Sequence, residues 1–230
     1  CNLVRGSGIL GGKNGALGAE LRNGMANGKL EALLAEWRRK RLLILGLGVS
    51  NRPLARLLLE AGCRVTGCDR TDREKLDREV LDLEEQGLEL RLGAGYLENL
   101  EADVVFRTPG MHPANPALEA LRRRRAAVTS EMEIFFQVCP CPVIAVTGSD
   151  GKTTTTTLLA EMLRAAGKTV WVGGNIGKPL LPEVGRMAPS DWAVVELSSF
   201  QLMDMDRSGH IAVVTNLAPN HLDVHKDMAE

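Results

Sequence analysis

The sequence predicts an α/β fold in two successive units, a Rossmann-like parallel-sheet unit followed by a P-loop-type α/β unit that is incomplete. Three observations predict it. Short apolar, β-branched runs alternate with stretches of helical spacing, the rhythm of βαβ crossovers. Two of those runs, Arg41–Leu45 and Val143–Val146, empty into glycine-bearing loops that open helices. The rhythm breaks once, at Val138–Pro142, where Cys-Pro-Cys-Pro reads as a linker. The expected units are therefore 30–138 and 139–230, behind a leader over 1–29.

That leader holds eight glycines up to Gly28 and little apolar periodicity. It has no hydrophobic core after a basic start, so it is not a secretory signal; it is expected to be flexible or appended, with Met25 as a candidate start. Leu30–Trp37 reads as a short helix feeding the strand Arg41–Leu45. After Gly46-Leu47-Gly48-Val49-Ser50-Asn51 comes a helix with Pro53 in its first turn and Leu54, Leu57 and Leu58 inward. Gly62 ends it, and the strand Arg64–Cys68 delivers Asp69. Asp72–Gln86 is expected as one charged helix, followed by strands at Leu88–Leu92 and Asp103–Arg107. The second of these ends in Thr108-Pro109-Gly110, at the sheet edge where ligands bind in such folds. A helix over Asn115–Arg125 finishes in four arginines, a solvated end that suits the helix dipole better than a basic binding patch. Ala127–Ser130 and a helix over Glu131–Gln137 close the first unit.

In the second unit the helix after the phosphate loop ends at Gly167. Strands over Thr169–Val172, Trp192–Val195 and Ala212–Thr215 then deliver polar residues to one sheet edge, as an α/β nucleotide site requires.

The bulk composition narrows the functions. With 44% apolar residues in 230, one large or two modest cores can form. Basic and acidic residues balance, 28 against 29, which argues against nucleic acid or an anionic membrane as partner. No apolar run approaches the roughly 18 residues of a membrane helix. The five cysteines (Cys1, Cys63, Cys68, Cys139, Cys141) lack the spacing of a zinc ribbon or a redox Cys-x-x-C, so reduced thiols in a cytoplasmic protein are expected.

The chemistry centres on Thr147-Gly148-Ser149-Asp150-Gly151-Lys152-Thr153-Thr154. Strand, glycine loop and helix start together suit a polyphosphate: the glycines let backbone N–H groups approach, the helix supplies unpaired donors, and Lys152 adds a full charge. Thr153 offers a hydroxyl to a phosphate-bound Mg2+. The usual pattern has glycine where Val146 stands, so the loop is a compressed one. Glu196, closing an apolar strand, is the candidate magnesium carboxylate; a surface glutamate is the plainer reading. His221 and His225 would share a helical face, but without His-Glu-x-x-His order or a third ligand a zinc hydrolase is not supported, and His221 is better read as a loop histidine beside the phosphate site. His112 and His210 read as turn or surface residues.

In the first unit Asp69 follows Gly46 by 23 residues, close to the ribose-binding acid of a dinucleotide fold. The third glycine of that fingerprint is Asn51, which tolerates a left-handed turn but brings a larger side chain. A nicotinamide or flavin site and a Rossmann-like fold holding another phosphate ligand both remain open, and the second phosphate loop argues against an NAD-dependent oxidoreductase.

The compressed loop resembles that of the Mur ligases and folylpolyglutamate synthetases, ATP-dependent amide-bond formers. Gly174-Asn175-Ile176-Gly177, Glu196-Leu197-Ser198-Ser199-Phe200-Gln201 and Asn216–Asp223 extend the resemblance, which runs from about Arg41 to the last residue and is most specific, at Leu197–Gln201, to the members of the Mur ligases that add D-glutamate. The family usually has glycine at Asn51 and commonly aspartate at Asn220, and Arg70 and Thr71 also depart from it.

The resemblance implies an ATP-dependent, ADP-forming ligase of peptidoglycan precursor synthesis, in the bacterial cytoplasm and monomeric at full length. It would phosphorylate the carboxylate of UDP-N-acetylmuramoyl-L-alanine for attack by D-glutamate, with ATP and Mg2+ as cofactors. Gly148, Ser149, Asp150, Gly151, Lys152, Thr153 and Thr154 would bind ATP. Lys152, Glu196 and His221 would be catalytic, and Thr153, Glu196 and His221 would serve the metal. Gly46, Leu47, Gly48, Val49, Ser50, Asp69 and Gly110 would hold the uridine diphosphate, with Asn175, Ser198 and His221 near the reacting carboxylate. Such ligases carry a further domain and a carbamylated lysine after the histidine motif. A chain ending at Glu230 is accordingly expected to be a truncated piece, a nucleotide-binding fragment without turnover of its own.

Overall fold

The computed structural model describes residues 28–203 and 205–221. Most of the leader expected over 1–29, and Leu222, Asp223 and His225 of the later motif, lie outside those residues. Residues 28–37 are helical, α1, and lay Leu30, Leu34 and Trp37 against the first sheet. Trp37 meets Phe106 edge-on, with ring centroids 5.3 Å apart.

β1 (Arg41–Leu45) is buried along Leu42–Leu45, as a central parallel strand must be. α2 (Asn51–Glu60), β2 (Arg64–Asp69), α3 (Arg78–Glu85), β3 (Glu89–Leu92), β4 (Val104–Arg107), α4 (Pro116–Arg123) and β5 (Ala127–Thr129) follow. They form a five-stranded parallel sheet in the order β3-β2-β1-β4-β5. The order reverses between β1 and β4, so the crevice at their carboxyl ends lies between Gly46 and Thr108.

α5 (Glu131–Val138) leads to the second sheet, made by β6 (Val143–Thr147), β7 (Val170–Gly174), β8 (Trp192–Glu196) and β9 (Ile211–Val214). α6 (Lys152–Ala165) crosses from β6 to β7, and α7 (Ser199–Leu202) follows β8. The strands are parallel in the order β7-β8-β6-β9, which brings the ends of β6, β8 and β9 together. The α/β class expected from the sequence is therefore the observed one.

The two sheets share one apolar cluster, running from Leu42 and Ile44 through Phe135, Val138 and Cys141 to Ala145, Leu181 and Val195. Two buried polar struts cross the same boundary. Arg107 Nη1 donates to the Met111 carbonyl at 2.6 Å and its Nη2 to the Phe200 carbonyl at 3.2 Å. Glu131 Oε1 accepts the Leu181 N–H at 2.9 Å.

Three local expectations change. The charged stretch 72–86 is not one helix: a 3-10 turn at Arg73–Lys75 gives way to extended backbone at Leu76 before α3 starts. Polar tethers hold it so, with Arg73 bidentate on Glu84 at 2.8 and 2.5 Å and Arg52 paired with Asp77. The stretch read as a linker, Val138–Pro142, is packed, with Val138 and Cys141 in the core. Asn51 is not left-handed; it is the first residue of α2 and is buried.

Candidate phosphate and substrate sites

β6 is buried as far as Val146, and its chain must leave the sheet and enter α6 within four residues. Gly148 makes the turn possible: its φ is +136°, and a Cβ there would stand 2.1 Å from Thr215 Oγ1. The loop is pinned from the end of β9. Thr215 Oγ1 donates to the Asp150 carbonyl at 2.6 Å. Asn216 takes the Ser149 N–H on its carbonyl at 3.2 Å and the Asp150 N–H on its side chain at 2.9 Å. Those two loop donors are thus engaged, and the N–H groups opening α6, at Lys152–Thr154, are the ones a helix start leaves without intrahelical acceptors. Lys152 Nζ folds over the loop, 2.7 Å from the Gly148 carbonyl and 2.9 Å from that of Ser149.

Glu196 closes β8 at 1% exposure. Its Oε2 accepts from Thr153 Oγ1 at 2.7 Å and its Oε1 from Asn175 Nδ2 at 3.0 Å. Among the described residues its partners are neutral, so a buried carboxylate stands beside the phosphate loop without a cation, an arrangement that favours one arriving with a ligand. Asn175 reaches it because Gly174, at φ +102°, lets the chain come so close that a Cβ would lie 2.1 Å from the Glu196 carbonyl.

A cavity of about 550 Å³ opens before this cluster, lined among others by Gly148, Ser149, Lys152, Asn175, Ser198 and His221. The His221 ring tilts against Phe200 with centroids 5.1 Å apart. It sits in coil with φ +52°, and among the described residues no group of three His, Cys, Asp or Glu side chains gathers as a metal site. Ser198 caps α7: its Oγ accepts the Gln201 N–H at 3.3 Å, and Gln201 Oε1 takes the Ser198 N–H at 2.9 Å. That reciprocal box gives a local reason for Ser198 and Gln201 in the motif.

The loop after β1 is built differently. Gly46, at φ +86°, passes Thr108, whose Cβ would lie 3.0 Å from an added methyl. Asp69 Oδ2 accepts the Leu47 N–H at 2.8 Å and Oδ1 the Thr71 N–H at 2.9 Å. Burial pushes the Asp69 pKa up, but those backbone donors outweigh it and the net shift is downward. Asn51 Nδ2 donates to the Gly46 carbonyl at 2.8 Å, which is what the larger side chain does where glycine was expected.

A separate cavity of about 410 Å³ is lined by Gly46, Gly48, Asp69 and Gly110, together with Arg70 and His112. The other three residues expected there point elsewhere. Leu47 has its side chain in the core, Val49 lines a different cleft beside Lys178, and Ser50 lies next to Arg107.

Thr215, Arg107, Glu131 and the tie made by Asn216 are not among the residues that the sequence singles out. His210 is in a bend and exposed, as expected, and its Nδ1 also accepts the Val143 N–H at 3.1 Å, holding the start of β6. A charged residue closing a buried strand was the signal available for Arg107; the partners of the others lie tens of residues away.

Fold and site define a parallel α/β protein with a strand–glycine loop–helix turn beside a buried carboxylate. The pattern described as the Mur ligase middle domain matches residues 146–230. The UDP-N-acetylmuramoylalanine–D-glutamate ligase of Clostridium novyi is 48% identical over 194 residues, 84% of this chain and 42% of that protein. The protein of the same name from Clostridium botulinum (strain Hall) is 51% identical over 192 residues, 83% of this chain and 42% of its own length. Over the matched residues the chain belongs to the Mur ligase family. It spans about 42% of the length of these curated relatives. Among solved structures, the UDP-N-acetylmuramate:L-alanyl-gamma-D-glutamyl-meso-diaminopimelate ligase of Neisseria meningitides aligns at a TM-score of 0.48 and 24% identity, over 83% of this chain and 64% of that one.

Proposed function

We propose that this chain carries the nucleotide-handling parts of a cytoplasmic ATP-dependent ligase that joins D-glutamate to UDP-N-acetylmuramoyl-L-alanine in peptidoglycan precursor synthesis. In this reading 30–138 holds the UDP end of the substrate and 139–230 holds ATP. One observation carries it: Glu196 binds both Thr153, at the start of α6, and Asn175, which lines one cavity together with Lys152 and His221.

The donor set fits magnesium, a hard cation that keeps several waters and needs one or two carboxylates beside the phosphates. Thr153 and Glu196 would hold it, and it would neutralise charge on the transferred phosphoryl group. Lys152, released from the loop carbonyls, would turn to the outer phosphates, and the first turn of α6 would give them N–H donors. Asn175 and His221 would orient the alanyl carboxylate, whose oxygen attacks the terminal phosphorus as ADP leaves. The amine of D-glutamate then attacks the acyl carbon, and phosphate departs. The residues of this chain supply positioning and charge, which is most of what phosphoryl transfer asks of a protein.

Calorimetric titration of the chain with ATP plus Mg2+, with UDP-N-acetylmuramoyl-L-alanine and with NADH tests the reading. The first two are expected to bind, ATP only weakly without the metal. Tight NADH binding with no response to the UDP-sugar would overturn the assignment of the first loop. ATP affinity unchanged by magnesium would overturn the role given to Thr153 and Glu196.

A further inference from the structure

Four of the five cysteines lie in the described residues, and they fall into two kinds. Cys63 and Cys68 are isolated and buried, and burial pushes both thiols up, Cys68 to about 11. Cys139 and Cys141 face each other with Sγ atoms 3.6 Å apart, and Cys139 Sγ also lies 3.5 Å from the Cys141 carbonyl. Cys139 is half-buried, whereas Cys141 is at 1% exposure. The hydrogen bond between the two thiols holds Cys139 below the ordinary thiol range and pushes Cys141 above it. The more accessible sulfur is thus the better nucleophile, with a partner behind it.

The pair occupies the one chain crossing between the two sheets among the described residues. The segment is fixed at its ends, where the Cys139 N–H meets the Phe135 carbonyl at 2.8 Å and the Pro142 carbonyl meets the Ala193 N–H at 3.0 Å. Pro140 and Pro142 have no N–H, so closing the remaining gap of about 1.5 Å to disulfide length breaks no hydrogen bond there; with their φ fixed, the movement falls to the cysteine side chains and to the backbone of the cysteines. Among the described residues no third ligand completes a metal site around the thiols.

We propose that Cys139 and Cys141 are a site of reversible oxidation, a dithiol that a peroxide converts to an intrachain disulfide at the crossing between the two sheets. The Cys139 thiolate attacks one peroxide oxygen, the O–O bond breaks, and hydroxide leaves. The hydroxide takes the Cys141 proton, and the Cys141 sulfur attacks the sulfenic sulfur of Cys139, breaking its S–O bond and releasing the second oxygen as water after protonation. Two thiols and one hydrogen peroxide give one disulfide and two waters, with both electrons passing from sulfur to oxygen. A bridge across one intervening residue is strained, which keeps it open to reduction by small thiols.

The test is peptide mapping of the whole chain, reduced, exposed to hydrogen peroxide and alkylated after unfolding. Tryptic cleavage leaves 126–152 as one fragment carrying both cysteines. That fragment is expected to lose the mass of two hydrogens and take no label, while Cys63 and Cys68 stay fully labelled and dithiothreitol restores both sites. In the folded protein Cys139 should alkylate roughly tenfold or more faster than Cys63 or Cys68. Both Cys139→Ser and Cys141→Ser should abolish the mass loss. Because Cys141 is in the core, Cys139→Ser, verified as folded by its melting curve, is the deciding variant. Two labels on the fragment after peroxide, oxygen gain at Cys139 without loss of hydrogens, or a cross-link to Cys1 would each overturn the proposal.

Discussion

The loops after β1 and β6 follow the same plan of buried strand, glycine turn and helix start, yet they are secured by opposite means. The first is held by an anion and an amide of its own unit: Asp69 on the Leu47 N–H and Asn51 on the Gly46 carbonyl. The second is held to its neighbouring strand by neutral groups at the end of β9, Thr215 and Asn216, while Lys152 lies over the loop carbonyls and lines the cavity. The carboxylate of the first loop is spent on its own backbone N–H groups, so an anionic ligand there would depend on other N–H groups and on Arg70, which lines the same cavity. The second loop brings its own lysine to such a ligand. The same local fold is thereby specialised by what ties it down.

The largest expected effect separates the two directly. Lys152→Ala should lower Mg–ATP affinity roughly 100-fold, the loss of a charge-assisted contact, and leave UDP-N-acetylmuramoyl-L-alanine affinity unchanged. Calorimetry on the variant reads both. An equal fall in the two affinities would mean that the loops do not act separately.

Next comes the backbone. Gly148→Ala would place its methyl 2.1 Å from Thr215 Oγ1 at a φ of +136°, and should destabilise the protein by about 3 kcal/mol. Gly46→Ala, at φ +86°, meets the Cβ and Cγ2 of Thr108 at 3.0 Å, a milder clash, and should cost about 1–2 kcal/mol. Urea denaturation gives both numbers, and a reversed order would show that the first loop is the more rigid of the pair.

The sequence made the plan of both loops legible and left their fastenings hidden. Val143–Val146 and Arg41–Leu45 announce themselves by β-branched and aliphatic content, and Lys152 and Glu196 by their places at strand ends. Arg107 shows in the sequence only as a charge closing a buried strand; its acceptors are carbonyls, one of them 93 residues away at Phe200, so its role as a strut does not. Glu131 was hidden among the charges of an ordinary helix start, although it is buried against Leu181. In the sequence Asn51 reads as a missing glycine, whereas in the fold its amide is a fastening. The single helix expected over 72–86 is not formed, since Arg73 reaches across the stretch to Glu84 and Arg52, from α2, holds Asp77.

A smaller effect tests the amide. Asn51→Gly restores the glycine usual in the fingerprint and removes the bond to the Gly46 carbonyl, and should cost about 1–2 kcal/mol from the lost bond and added chain entropy. NADH should still fail to bind. If the variant binds it, the side chain was excluding the dinucleotide as well as holding the loop.

The smallest effect distinguishes a charged fastening from a neutral one by pH. The Asp69 pKa is lowered in the folded state, so the unfolded chain takes up its proton more readily. Its contribution is then present above the ordinary value of 3.8 and is lost as pH falls below it. Glu131 acts with the opposite sign. Burial raises its pKa from 4.5 to about 7 against the N–H groups of Leu181 and Leu180, so its contribution is full below 4.5 and is lost as pH rises through about 7. The two windows adjoin without overlapping, and Glu131→Gln should flatten the upper one while leaving the lower. In that background Asp69→Asn should cost about 1 kcal/mol or less near neutrality, since the carboxylate is only half-buried and an amide oxygen still accepts one of the two N–H groups. The cost should fade below 3.8, where the parent aspartate is itself becoming protonated. Thr215→Val, which unfastens the other loop, should cost the same across that range, because a hydroxyl does not titrate there. Denaturant midpoints of the three variants against pH measure all of this. A cost for Asp69→Asn that persists undiminished in acid would make Asp69 a shape-filling residue, and the contrast between a charged and a neutral fastening would fall.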